Sequence, residues 1–164
     1  MTDADSNYPP MFERAAFLFA QLGSRSEYRF VALLEPLGLK PGQYGTLRIL
    51  EVNDGMTQQQ LCEALGIHRN VMVGLVDALE QRGLVERRRH PVDRRAHAVH
   101  LLPAARDVIA EADRLARGLD AEMVGALDPA EQATLIGLLQ RVAVDVGLTP
   151  GIHPGLTAET DCTA

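Results

Sequence analysis

Residues 57–89 read TQQQLCEALGIHRNVMVGLVDALEQRGLVERRR, and the punctuation of this stretch decides the fold. Thr57-Gln58-Gln59-Gln60 has the form of a capping box, with a hydroxyl at the cap and an amide three residues on. It opens a short helix carrying Leu61, Ala64 and Leu65, and Gly66 permits the left-handed turn at its end. A longer helix follows from about Arg69 to Arg82, with Val71, Leu75, Ala78 and Leu79 on one stripe, and Gly83 stops it. Short helix, glycine turn, longer helix is the spacing of a helix-turn-helix. The period then changes. Residues 84–88 and 97–101 read as strands joined by a polar connection over 90–96, and a ribbon placed there is a wing.

Outward from this segment the chain is helical. Phe12, Ala15, Ala16, Phe19 and Leu22, then Tyr28, Val31 and Leu34, recur at three- and four-residue steps, predicting a helix over 11–34 that Gly23-Ser24 bends. Pro41 opens a second helix reaching about Val52, burying Tyr44, Leu47 and Leu50 or Ile49, and Asn53-Asp54-Gly55 ends it. Pro103 opens a long helix over 104–127, and Asp128-Pro129 starts a last one carrying Leu135, Leu138, Leu139 and Val142. The expected fold class is mainly α with a small two- or three-stranded β wing.

At 164 residues the chain suits one domain or two small ones. No run approaches the eighteen apolar residues of a membrane span, and the polar segment 1–10 predicts no secretory signal. Cys62 and Cys162 form no ligand pair or disulfide framework, which fits a reducing cytoplasm. Fifteen of the sixteen basic residues are arginine, with Lys40 the exception. The net charge of −6 hides an asymmetry, because residues 68–106 hold eight arginines against four acids. That window is +4 and the remainder −10, and polyanion binding follows the local field, not the chain total.

A helix fits the major groove, and a ribbon with cationic tips reaches the neighbouring minor groove. With 71, 75 and 79 in the core, the opposite face presents Arg69, Asn70, Val73, Gly74 and Asp77. Arg pairs with guanine, Asn with adenine, and Val73 suits a thymine methyl, while Gly74 permits close approach. Thr57 and Gln58 at a helix start suit a phosphate, and Arg94 and Arg95 suit a narrow minor groove. Each feature taken singly has a plainer role, as a solvated helix start, an exposed ribbon face or a common turn. Together in one contiguous stretch they favour DNA.

QLCEALGI (60–67), LVDALEQRGLVER (75–87) and DRRAHAVHL (93–101) resemble the MarR family of winged-helix transcription regulators, the pattern D-R-R-x-x-x-V-x-L being the most specific element. The resemblance covers about residues 11–146. It implies a homodimer with a helical dimerisation region over 11–35 and 104–146, a winged helix-turn-helix over 36–103, and flexible ends over 1–10 and 147–164. It also implies a palindromic operator, Asp93 and Arg95 bracing the wing, and a wing arginine in the minor groove, so the contact set is Thr57, Gln58, His68, Arg69, Asn70, Val73, Gly74, Arg88, Arg94 and Arg95. Departures stand at His68, a poorer cap than the usual Ser or Thr, and at Val73-Gly74, where many members carry a hydroxyl and an arginine.

Many members are repressors released by small phenolic or carboxylate ligands, which makes a small aromatic effector a candidate partner. Phe19, Tyr28, Phe30 and Tyr44 are the candidate pocket residues, with ordinary core or dimer-contact aromatics as the alternative. Cys62 is expected to pack, with burial raising its pKa. His68, His90, His97 and His100 lie in the winged head; His97 and His100, three apart on a strand, face opposite ways, so no metal is expected. No cofactor is expected either. Ser6, Ser24 and Ser26 stand in no nucleophile motif, and no enzymatic activity is expected. The alternative is a winged-helix protein–protein interaction module without sequence-specific DNA binding.

Overall fold

A computed structural model describes residues 10–90 and 96–151. A 3-10 turn, Met11–Glu13, precedes helix α1 (Ala15–Leu34), and a second turn, Glu35–Leu37, leads to α2 (Pro41–Val52). Then come β1 (Met56–Thr57), α3 (Gln58–Leu65), α4 (Arg69–Gln81), β2 (Val85–Arg89), β3 (His97–Leu101), α5 (Pro103–Val124) and α6 (Pro129–Asp145). The first helix starts later than its apolar period predicts, because Arg14 adopts extended backbone at φ −100°, ψ 123°. Phe12 is 76% exposed, so among the described residues its side chain does not hold that first turn in helical register. α1 then runs unbroken through Gly23 and Ser24.

Local chemistry sets the helix starts. Thr57 Oγ1 accepts from the Gln60 N–H at 3.2 Å, and Gln60 Oε1 accepts from the Thr57 N–H at 2.8 Å, closing the expected capping box. Asp128 caps α6 in the same way, accepting from the Ala130 and Glu131 N–H groups at 2.8 and 2.9 Å. Pro41, Pro103 and Pro129 each stand in a first helical turn, where a missing N–H costs nothing. Gly66 takes φ 65° between α3 and α4, so the two helices can turn sharply.

The sheet is antiparallel with order β1-β3-β2, Met56 facing Val99 and Arg87 facing Val99 from the other side. A two-residue strand is too short to show alternation, which is why β1 is invisible to the period argument. Gly55 before it has φ 81°, and a Cβ there would stand 2.8 Å from His100 Cε1. Asp54 ties the same corner to β3. Its Oδ1 accepts from the Leu101 N–H at 2.8 Å, and its Oδ2 lies 2.8 Å from His100 Nδ1.

One core cluster joins Leu47 and Leu50 of α2, Leu61 and Leu65 of α3, Met72, Val76 and Leu79 of α4, Val85 and Val99 of the sheet and Ile109 of α5. On α4 the fully buried residues are Met72, Val76 and Leu79, whereas Val71 and Leu75 are only partly buried. The buried arc is thus rotated from the expected 71/75/79 stripe, because α2, α3 and β2 all pack on α4 and broaden its inner face. At the far end of α4, Arg82 donates to the carbonyls of Leu37 and Gly38 at 2.7 and 2.6 Å, tying it to the α1–α2 connection. α1 packs along α5, where Arg25 and Arg29 meet Glu122 at 3.3 and 2.7 Å. α6 buries no residue fully.

Leu79→Ala, at the centre of this packing, is expected to destabilise by about 2–5 kcal/mol in chemical denaturation. Burial pushes the Asp54 carboxyl up, but hydrogen bonds from His100 and the Leu101 N–H outweigh it and hold the group below its ordinary value. A carboxylate depressed in the folded state stabilises fully above its unfolded pKa of about 3.9 and loses that contribution as pH falls through the lower folded value. Asp54→Asn should therefore flatten the acid limb of melting temperature against pH; a limb as steep as the parent's would show that Asp54 carries none of it.

Candidate nucleic-acid interface

α4 leaves the head with its first turn outward. Arg69, Asn70, Val73 and Gly74 are exposed on one side, while Met72 and Val76 hold the other side down. The cap is better than its residue type suggests. His68 Nδ1 accepts from the Asn70 N–H at 3.2 Å, so the imidazole satisfies one of the orphan donors that a hydroxyl usually takes. A Cβ built on Gly74 would meet nothing within 4 Å, so nothing within the described chain requires glycine there. Asp77, at the edge of the same face, is only half exposed.

At the start of α3, Thr57 and Gln58 are half-buried rather than open. The Thr57 hydroxyl serves the capping box, and Gln58 Nε2 is buried without a hydrogen-bond partner. Arg88 is exposed on β2, where its guanidinium bonds Glu86 two residues back, Nε at 2.8 Å. A bare arginine run would give a stronger field than this paired one. Asp93, Arg94 and Arg95, the expected wing brace and tip, lie outside the described residues.

Arg87 is the residue that counting charges misplaces. In sequence it adds to the positive window, but in the fold its guanidinium is 22% exposed and ion-pairs with both Asp77 and Glu80 of α4. Its backbone N–H also donates to Glu80 Oε1 at 2.8 Å. The signal was available: strand alternation puts Arg87 on the side of the buried Val85, and Asp77 and Glu80 stand three apart on one helix face.

The four candidate pocket aromatics divide. Phe30 and Tyr44 meet edge to face, with ring centroids 5.6 Å apart and planes at 70°. Phe19 and Tyr28 are 43% and 72% exposed, so they do not join that pair. The Tyr44 hydroxyl donates to Asp113 Oδ1 of α5 at 2.7 Å, and Arg48 stands 3.2 Å from Asp113 Oδ2. Burial first, then the bond to Asp113 and its negative charge, push the Tyr44 hydroxyl up to about 12. Cys62 is half-buried on α3; burial raises its thiol, opposed in part by the nearby charge of Arg69. Among the described residues, no three His, Cys, Asp or Glu side chains stand together as metal ligands would. None of the described helices is long and apolar enough to cross a membrane.

Residues 37–96 match the sequence model of the MarR family. A protein named for transcriptional regulation of the hcr operon of Thauera aromatica is 34% identical over 113 residues, spanning 69% of this chain and 68% of that one. Among solved structures, the transcriptional repressor CouR bound to a 23-mer DNA duplex is 29% identical with a TM-score of 0.72, covering 84% of this chain and 99% of CouR. Wild-type MarR of E. coli in its apo form, at 24% identity, shares the fold with a TM-score of 0.68 over 79% of this chain and 96% of its own. By helix-turn-helix, wing and sequence alike, the chain belongs to the MarR family of winged-helix transcriptional regulators.

Proposed function

We propose that this regulator is a cytoplasmic repressor that binds a pseudo-palindromic operator as a homodimer and is released by a small aromatic or phenolic ligand. The observation that carries the DNA reading is the outer face of α4, where a capped first turn presents Arg69, Asn70, Val73 and Gly74 beside a β ribbon. That CouR was solved on a DNA duplex supports the same mode. Arg69 and Asn70 read base edges in the major groove, Val73 meets a thymine methyl, and Gly74 lets the duplex come close. Thr57, Gln58 and His68 lie toward phosphates. Arg88, Arg94 and Arg95 reach the minor groove, with Asp93 and Arg95 bracing the wing.

The homodimer reading rests on apolar surface that one chain leaves uncovered. Phe19 and Leu22 of α1 and Ile136, Leu138, Leu139 and Val142 of α6 are all at least 41% exposed. Such a surface on two helices marks a protein interface. The dimerisation region spans 11–35 and 104–146, with the winged head over 36–103 between them. Two-fold symmetry then sets half-sites about 10 bp apart. Effector binding is assigned to Phe30 and Tyr44, where Asp113 and Arg48 supply polar partners next to the connection between α1 and α2.

Footprinting on DNA flanking the coding region, with and without phenolic acids, is the primary test. The expected result is a symmetric protected site that phenolic acid weakens, and affinity that drops steeply with salt. A weak salt response with no protected site would favour the protein-interaction module instead. Arg69→Ala should narrow the gap between operator and random duplex by about 1–3 kcal/mol. Gly74→Ala should act in opposite directions, stabilising the free protein by about 0.5–1 kcal/mol while weakening operator binding; equal operator affinity would remove Gly74 from the contact set.

A further inference from the structure

The +4 window contains an arginine that is turned away from any polyanion. Val85, Arg87 and Arg89 share one side of β2 by strand alternation, and Val85 on that side is buried. Arg87 therefore projects onto α4 instead of into solvent. Its two terminal nitrogens divide between Asp77 and Glu80, and its own N–H adds a third contact at 2.8 Å to Glu80 Oε1. Asp77 lies four residues beyond Val73, and Glu80 one turn further along α4. Asp77 remains 48% exposed and Glu80 37%, so both carboxylates lie at the edge of the face that meets DNA.

We infer that Arg87 is a positioning residue for DNA docking, its guanidinium bridging Asp77 and Glu80 to fix the wing strand against the recognition helix without touching DNA itself. This rests on the DNA-docking reading above. Two physical consequences follow from the geometry. The strand and the helix are docked by charge-assisted bonds to both carboxylates, so the angle between the groove-reading helix and the ribbon is set before DNA arrives. The bridge also offsets one of two negative charges that would otherwise face the phosphate backbone unopposed.

The test compares the parent chain with Arg87→Met and with the triple variant Arg87→Met, Asp77→Asn, Glu80→Gln. Fluorescence anisotropy is read on the footprinted duplex and on a shuffled duplex, at a temperature where circular dichroism shows all three folded. Arg87→Met should bind the operator about tenfold more weakly, because it strands two carboxylates near DNA and frees the strand. Its slope of log affinity against log salt should match the parent's, since no phosphate contact is lost. The triple variant should recover most of the affinity. Two results would overturn the inference: an Arg87→Met protein that binds as the parent does, or one whose salt slope is shallower by about 0.9, the mark of a lost phosphate contact. A parent chain that does not tell the operator from the shuffled duplex would sink the DNA reading itself, and this inference with it. A parent that discriminates while the triple variant stays as weak as Arg87→Met would overturn the bridge alone.

Discussion

Everything in the head depends on α4 living in two environments at once. Met72, Val76 and Leu79 are withdrawn from water completely, each such burial being worth about 1.5–3 kcal/mol, and they meet α2, α3 and β2. A helix of thirteen residues has little stability of its own, so this packing is what keeps it formed. The same packing fixes its rotation. Once three residues of the stripe point inward, Arg69, Asn70, Val73 and Gly74 have no direction left but outward, and the imidazole cap at His68 keeps the first turn ordered where it stands alone.

Electrostatics in this region is a matter of address, not count. Arg82 spends its guanidinium on the carbonyls of Leu37 and Gly38, Arg87 on two carboxylates and Arg88 on Glu86. Arg82 and Arg87 shape the head, joining α4 to the connection behind it and to the strand beside it, while the Arg88 pair stays within β2. Arg69 stands exposed at the start of the helix that the DNA proposal places in the groove. At physiological salt a charge is felt over about 8 Å, so the local arrangement outweighs a chain total of −6.

The helical part is built differently. α1 buries only Leu34 fully and α6 buries nothing, leaving aliphatic and aromatic side chains in water. A second copy covering them is the proposal that accounts for the apolar side chains α1 and α6 leave exposed among the described residues. Phe30, Tyr44 and Asp113 join α1, α2 and α5 at the root of this region. A ligand bound there would act where the helical region meets the head, close to the Arg82 contacts that run on to α4.

What the residues dictate by themselves is local. The capping boxes at Thr57 and Asp128, the left-handed turn at Gly66 and the prolines at helix starts each involve atoms within one turn of chain, so they are legible from neighbours alone. The helix-turn-helix, the ribbon behind it and the family resemblance follow from such signals in order. The rest required the fold. The rotation of the α4 stripe, the strand β1 and the parting of Phe19 and Tyr28 from Phe30 and Tyr44 depend on which elements pack together in space. The inward turn of Arg87, whose partners stand only seven and ten residues back, depends on β2 docking on α4. A periodic pattern says that a face is apolar, but only the neighbours packed on it decide which residue lies at its centre. In the same way, a run of arginines reports charge, while the carboxylates folded against it decide where that charge is felt.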